Sequence, residues 1–280
     1  EFIAQLPFEL TFDQEQAALE VINDLQKETM MYRFVQGDVG SGKTVVGAIG
    51  LYANYLAGYQ GAMMAPTEIL ALQHYQSLKK MFKKYKINIA LLTGHLSQKE
   101  KNDIYQQLEN GQIDIIIGTH ALFQEKVQYN QLGLVITDEQ HRFGVEQRKA
   151  LKDKGNKVDF LVMTATPIPR TLAISLYGDM DVSMIKTLPN GRKKVITKFI
   201  KGTSMRPILK DLKDYLLKGG QCYVVCPLVN ESEAITGRNA SDISKAMAQY
   251  FKGQYEVGLV HGQMSDEEKN KIMNAFKENK

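Results

Sequence analysis

Short, almost wholly apolar runs recur along this chain, at residues 32–36, 61–65, 87–92, 113–118, 132–137, 159–163 and 182–185. Each has the length of a β-strand buried on both faces, the kind found in parallel sheets. Between them lie stretches with apolar residues three and four apart, such as 68–82, 98–109 and 146–151, a spacing that predicts amphipathic helices. Alternation of the two types predicts an α/β fold, with a parallel sheet covered by helices on both faces. The segment Leu188-Pro189-Asn190-Gly191-Arg192 interrupts the pattern with linker chemistry. A first domain is therefore expected at 1–187 and a linker at 188–194. Beyond it a second α/β unit is expected at 195–280, with strands at 195–200, 221–226 and 257–260 and helices at 205–217, 243–251 and 266–276. Three strands are few for a domain of this type, so the expectation is a second domain of which the chain carries only part.

The most specific chemistry follows the first run. Gly37, Asp38, Val39, Gly40, Ser41, Gly42, Lys43 and Thr44 match the phosphate-binding loop pattern without a mismatch, and Val45, Ile49, Tyr52, Ala53 and Leu56 continue at helical spacing. Strand, glycine-rich loop and helix in that order let backbone N–H groups close around phosphates at a helix N-terminus. Lys43 would then reach the β- and γ-phosphates, and the Thr44 hydroxyl would coordinate Mg2+. The run 132–137 ends in Asp138 and Glu139, followed by Gln140 and His141. The carboxyl end of a parallel strand is where open α/β sheets grip a ligand. Asp138 would hold Mg2+ through water, and Glu139 would orient and activate the attacking water. A solvated acidic turn would explain these two acids alone, but not their company with a phosphate loop. The expected cofactors are ATP and Mg2+.

Composition adds less. The 280 residues are 44% hydrophobic, enough for a large core, and a formal charge of +4 is too mild to imply nucleic acid by itself. Distribution says more: residues 182–210 carry Lys186, Arg192, Lys193, Lys194, Lys198, Lys201, Arg206 and Lys210 and no acid, a pattern suited to phosphate backbones. Lys79, Lys80, Lys83, Lys84 and Lys86 close a predicted helix and read as a solvated face that complements its dipole. Cys222 and Cys226 share one face of an apolar run and are expected in a core, not in a disulfide, which fits a reducing compartment. His74, His95, His120, His141 and His261 form no ligand-spaced pair, so no zinc site is expected. Neither a signal peptide nor an apolar run of membrane-spanning length is visible.

Residues 6–11 (LPFELT), 36–44 (QGDVGSGKT), 64–74 (MAPTEILALQH), 118–122 (GTHAL), 138–144 (DEQHRFG), 162–171 (VMTATPIPRT) and 226–228 (CPL), with His261-Gly262, resemble superfamily 2 nucleic-acid helicases. The resemblance runs the length of the chain and points in particular to the RecG family of bacterial ATP-dependent DNA helicases. It implies a RecA-like P-loop NTPase lobe on a parallel sheet, followed by a truncated second α/β lobe. It implies a motor that remodels branched DNA such as stalled forks and Holliday junctions. Lys43, Thr44, Asp138 and Glu139 would carry hydrolysis, with Gln140 and His141 as relay, while Thr164, Ala165, Thr166 and Arg170 would couple nucleotide state to DNA.

Pro66, Thr67, Glu68, Thr93, Gly94, Gly118, Thr119 and His120 follow strands on the edge that carries Asp138, and would grip the sugar–phosphate backbone of one strand. Thr67 reads equally well as a helix N-cap. Gln14 would read adenine through its carboxamide, although Thr11 and Gln14 also form a capping-box pattern. The implied partners are branched or single-stranded DNA, with a monomer favoured and a cytoplasmic location. The family's arginine finger would lie after Lys280 and its wedge-type DNA-binding domain before Glu1. This chain is accordingly expected to bind nucleotide but to hydrolyse it slowly. The alternative is a double-stranded DNA translocase like the transcription-repair coupling factor, whose motor typically has Phe where this chain has Ser41 and Glu where it has Gln140. A small-molecule kinase could use the same loop, but the 138–141 run and Thr164-Ala165-Thr166 argue against it. Intact Lys43 and Glu139 argue against a non-catalytic, nucleotide-gated module.

Overall fold

The computed structural model describes residues 2–124, 126–138, 157–166, 180–187, 195–201, 206–227 and 239–279. Two units are distinguished, Glu1–Val195 and Ile196–Lys280. In the first, β1 (Tyr32–Gly37), β2 (Gln60–Met64), β3 (Ile89–Leu92), β4 (Ile115–Gly118), β5 (Leu132–Asp138), β6 (Asp159–Thr164) and β7 (Asp181–Ile185) form one sheet in the order β3-β4-β2-β5-β6-β1-β7. Every pairing is parallel. All seven apolar runs of this region are strands, with ends within two residues of those expected. The helices α1 (Phe12–Leu25), α2 (Lys43–Leu56), α3 (Glu68–Met81) and α4 (Gln98–Glu109) lie between and before them. The helix expected at 146–151 falls outside the described residues.

The strands are apolar at nearly every position because both sheet faces are covered. Ile115, Ile117, Leu134, Ile136, Leu161 and Met163 enter one core with Val21 of α1, Val46 and Leu51 of α2 and Leu78 of α3. The alternate residues Ala62, Met64, Ile116, Val135 and Phe160 enter a second core with Leu108 of α4. Each fully buried Ile or Leu contributes about 1.5–3 kcal/mol, so the two cores fix the register of the inner strands. Local chemistry sets the helix starts. Thr11 with Gln14 and Ser97 with Glu100 form capping boxes on α1 and α4.

In the second unit, α5 (Arg206–Leu217), α6 (Ala240–Tyr250) and α7 (Asp266–Lys277) are formed. Asn239 caps α6, and Ser265 with Glu268 makes a capping box on α7. The strands expected here are corrected: 195–200, 221–226 and 257–260 carry no sheet pairing. Phe199 and Val225 are 85% and 92% exposed. A strand is stabilised by its neighbours, so β-favouring composition without a partner yields only extended chain. The same reason corrects the two cysteines. An unpaired run has no inner face, and Cys222 is exposed and Cys226 half-buried, both as free thiols.

Candidate functional site

An all-parallel sheet brings the carboxyl ends of its strands to one edge. There β1 ends at Gly37 and the chain turns into α2 through Gly40 and Gly42, with φ of 76° and 86°. These are left-handed conformations that glycine adopts without a Cβ penalty. A Cβ on Gly42 would also lie 2.2 Å from Gln14 Nε2. Lys43 folds back over the loop, its Nζ donating to Gly37 O at 2.7 Å and Asp38 O at 3.0 Å. Gln14 is 2% exposed. Its backbone N donates to Thr11 Oγ1 at 3.3 Å, and its Oε1 accepts from Thr11 N at 2.9 Å. Its Nε2 donates to Ser41 O at 2.7 Å. The capping box is thus formed, and the same carboxamide props the phosphate loop from below while keeping one N–H and one lone pair in reserve.

Asp138 is the last residue of β5. It stands in register with Met163 of β6, which stands in register with Val35 of β1. Asp138 is therefore two strand spacings, about 10 Å, from Val35, and the phosphate loop begins two residues further along on the same edge. Asp138 Oδ2 accepts a hydrogen bond from His74 Nε2 at 2.7 Å. An open cleft of about 780 Å3 is lined by Phe8, Gln14, Gly42, Thr44, Gln73 and His74. The phosphate loop and the partner of Asp138 therefore share one cavity. Ser41 Oγ is buried beside it with no hydrogen-bond partner among the described residues.

Magnesium keeps several waters and takes one or two protein groups plus phosphate oxygens, not a protein cage. Thr44 and Asp138 supply such a donor set, a hydroxyl and a carboxylate. The residues present therefore fit a metal-bound nucleotide. Thr164, which is fully buried, ends β6 between these strands. Its Oγ1 lies 2.9 Å from Thr166 Oγ1 and accepts from Thr166 N at 3.2 Å, closing a turn through Ala165. Glu139, Gln140, His141 and Arg170 lie outside the described residues.

The remaining predicted residues gather at the neighbouring strand ends, β2, β4 and β3. Thr67 Oγ1 accepts from Leu70 N at 3.3 Å, so Thr67 caps α3 and retains its hydroxyl hydrogen. Glu68 Oε1 accepts from Gly94 N at 2.5 Å, and its Oε2 pairs with His95 Nε2 at 3.0 Å. Lys101 Nζ donates to Gly94 O at 2.8 Å. Glu68 therefore ties the loop Pro66-Thr67-Glu68 to Thr93-Gly94. Gly118 packs tightly against β3, since a Cβ there would lie 2.5 Å from Leu92 O. Thr119 is buried and His120 exposed. Lys79, Lys80, Lys83, Lys84 and Lys86 are all exposed. Sequence reasoning missed the role of His74 as partner of Asp138, because a contact across 64 residues leaves no local spacing to read.

A glycine loop bearing a lysine and a strand-end carboxylate on one edge of a parallel sheet define a P-loop nucleotide-binding protein. The family model for DEAD/DEAH box helicases matches residues 11–174, more than half of the chain. The chain belongs to the DEAD/DEAH box helicase family. It is 49% identical over 278 residues to the ATP-dependent DNA helicase RecG of Bacillus subtilis, covering 99% of this chain and 41% of that protein. To the RecG of Streptococcus pneumoniae it is 50% identical over 275 residues, covering 98% and 41%. The solved structure of RecG bound to a three-way DNA junction is similar with a TM-score of 0.78 and 44% identity, over 99% of this chain and 36% of that one. The chain spans about two fifths of the length of the curated relatives it matches.

Proposed function

We propose that this chain is the ATP-binding motor portion of a cytoplasmic DNA helicase that acts on branched DNA such as stalled forks and Holliday junctions. In this reading 1–187 is the first helicase lobe, 188–194 a linker and 195–280 part of the second. The observation that carries it is the placement of Lys43 and Asp138 on one sheet edge, beside three more strand-end loops. The similarity to a RecG bound to a three-way junction supports the substrate class.

Lys43 exchanges the carbonyls of Gly37 and Asp38 for β- and γ-phosphate oxygens, so its ammonium is satisfied before and after ATP binds. The N–H groups of residues 38–44 close around the phosphates at the N-terminus of α2. Thr44, and Asp138 through water, hold Mg2+, which when bound neutralises phosphate charge. Glu139 orients the attacking water, with Gln140 and His141 relaying the change. Gln14 offers its spare N–H and lone pair to adenine. Thr67, Thr93, Thr119 and His120, beside Pro66, Gly94 and Gly118, offer hydroxyl and imidazole groups to phosphates, which positions a strand without reading its bases. Glu68 serves as the clamp between two of these loops. The turn Thr164-Ala165-Thr166, with Arg170 beyond it, passes nucleotide state to them. The chain acts as a monomer.

The test is Lys43→Ala. Loss of a charged hydrogen-bond donor, worth roughly 1.5–3 kcal/mol, should weaken binding of a fluorescent ADP by about 10- to 100-fold. In a full-length protein that includes this chain, DNA-stimulated ATP hydrolysis should be lost with it. Undiminished ADP binding by this variant would remove the proposal.

A further inference from the structure

His74 lies inside α3, the helix that begins in the Thr67 and Glu68 loop. It is 8% exposed, and its ring reaches across from the β2 side of the sheet to the end of β5. A carboxylate only accepts, so Nε2 carries the hydrogen in this contact. The helix that presents the ring is itself fixed. Thr67 caps its start, Glu68 anchors it to Gly94, and Ala71 and Leu78, on either side of His74 in sequence, are fully buried. A ring held by a rigid helix constrains the rotation of the carboxylate it touches. With Oδ2 engaged by His74, Oδ1 is the oxygen left for a ligand, and His74 and Thr44 line one cleft.

We propose that His74 is a positioning residue for Asp138, orienting its carboxylate for the metal-bound nucleotide. The inference rests on the nucleotide site proposed above. Partners of direct metal ligands typically change metal affinity by about 10- to 100-fold when removed, and because Asp138 would act through water the lower end of that range is expected.

The experiment measures the affinity of the 280-residue chain for a fluorescent ADP across a Mg2+ series, with EDTA as the metal-free point. His74→Leu should keep the metal-free affinity but need about tenfold or more Mg2+ for the same response. His74→Gln, whose amide can reach the same oxygen, should recover most of the loss. His74→Asn, too short to reach, takes the place of the leucine variant if that one does not fold, with the same loss expected. Two results overturn the inference: a wild-type Mg2+ response in these variants, or an equal loss of affinity in EDTA. The site reading fails separately, and this inference with it, if the wild-type chain binds ADP no better than Lys43→Ala.

Discussion

The two edges of the one sheet use polar residues in opposite ways. At the amino edge they are engaged by partners within the protein. Arg33, near the start of β1, is 7% exposed. Its Nε donates to Asp24 Oδ2 at 2.7 Å, and its Nη1 donates to Glu20 Oε2 at 3.0 Å and Ser183 Oγ at 2.9 Å. Gln60, the first residue of β2, donates from Nε2 to Leu108 O and Ile113 O and accepts at Oε1 from Asn130 N and Gln131 N. That is all a carboxamide can make. At the carboxyl edge capacity is held back. Gln14 keeps one N–H, Asp138 keeps an oxygen beyond its bond to His74, and Ser41 Oγ is buried without a partner among the described residues. Saturated groups hold a fold together, whereas spare hydrogen-bonding capacity beside a cleft is what a ligand completes.

The comparison breaks if variants of the amino edge disturb nucleotide binding as much as stability. Arg33→Ala leaves the buried Asp24 without its main counter-charge and should cost about 3–5 kcal/mol in chemical denaturation. ADP affinity measured well below the unfolding midpoint should stay unchanged. Gln60→Ala takes the donor from two buried carbonyls, Leu108 O and Ile113 O, and should cost about 2 kcal/mol, roughly 1 kcal/mol for each, again without a change in ADP affinity. The smallest effect is one of pH. Burial pushes the Asp24 carboxyl up, but hydrogen bonds and charge from Arg33 and Lys27 outweigh it and hold the group below the usual carboxylate range. In acid the unfolded chain then takes up the proton first, so this stabilisation is complete above the ordinary carboxylate value and fades as pH falls through the lower folded one. Urea midpoints from pH 6 downward should fall less steeply in Asp24→Asn than in the wild type; parallel curves would remove this assignment.

The inner strands of the first unit were legible because a strand covered on both faces must be apolar throughout, and that is written locally. The phosphate loop was legible for a similar reason: Gly40 and Gly42 occupy conformations that few other residues adopt. Gln14 was half legible. Its capping box follows from spacing to Thr11, whereas its bond to Ser41 O spans 27 residues. What no window of sequence contains is partnership over distance. Arg33 meets Ser183 across 150 residues and His74 meets Asp138 across 64. The same limit misassigned 195–200, 221–226 and 257–260, whose composition favours strands but which pair with no strand among the described residues.

The order of the sheet also dictates an order of birth. β1 emerges first of all the strands, yet its neighbours are the last two, with Tyr32 beside Phe160 and Arg33 beside Asp181. Closing loops of that size is entropically costly and slow. On the ribosome, β2 to β5 can begin to assemble while the strand that carries the phosphate loop still waits, apolar and open along both sides. Nucleotide therefore cannot template the early steps of folding. It can only reward their completion, and a nascent chain that stalls before residue 159 would expose a sticky ribbon that chaperones must shield.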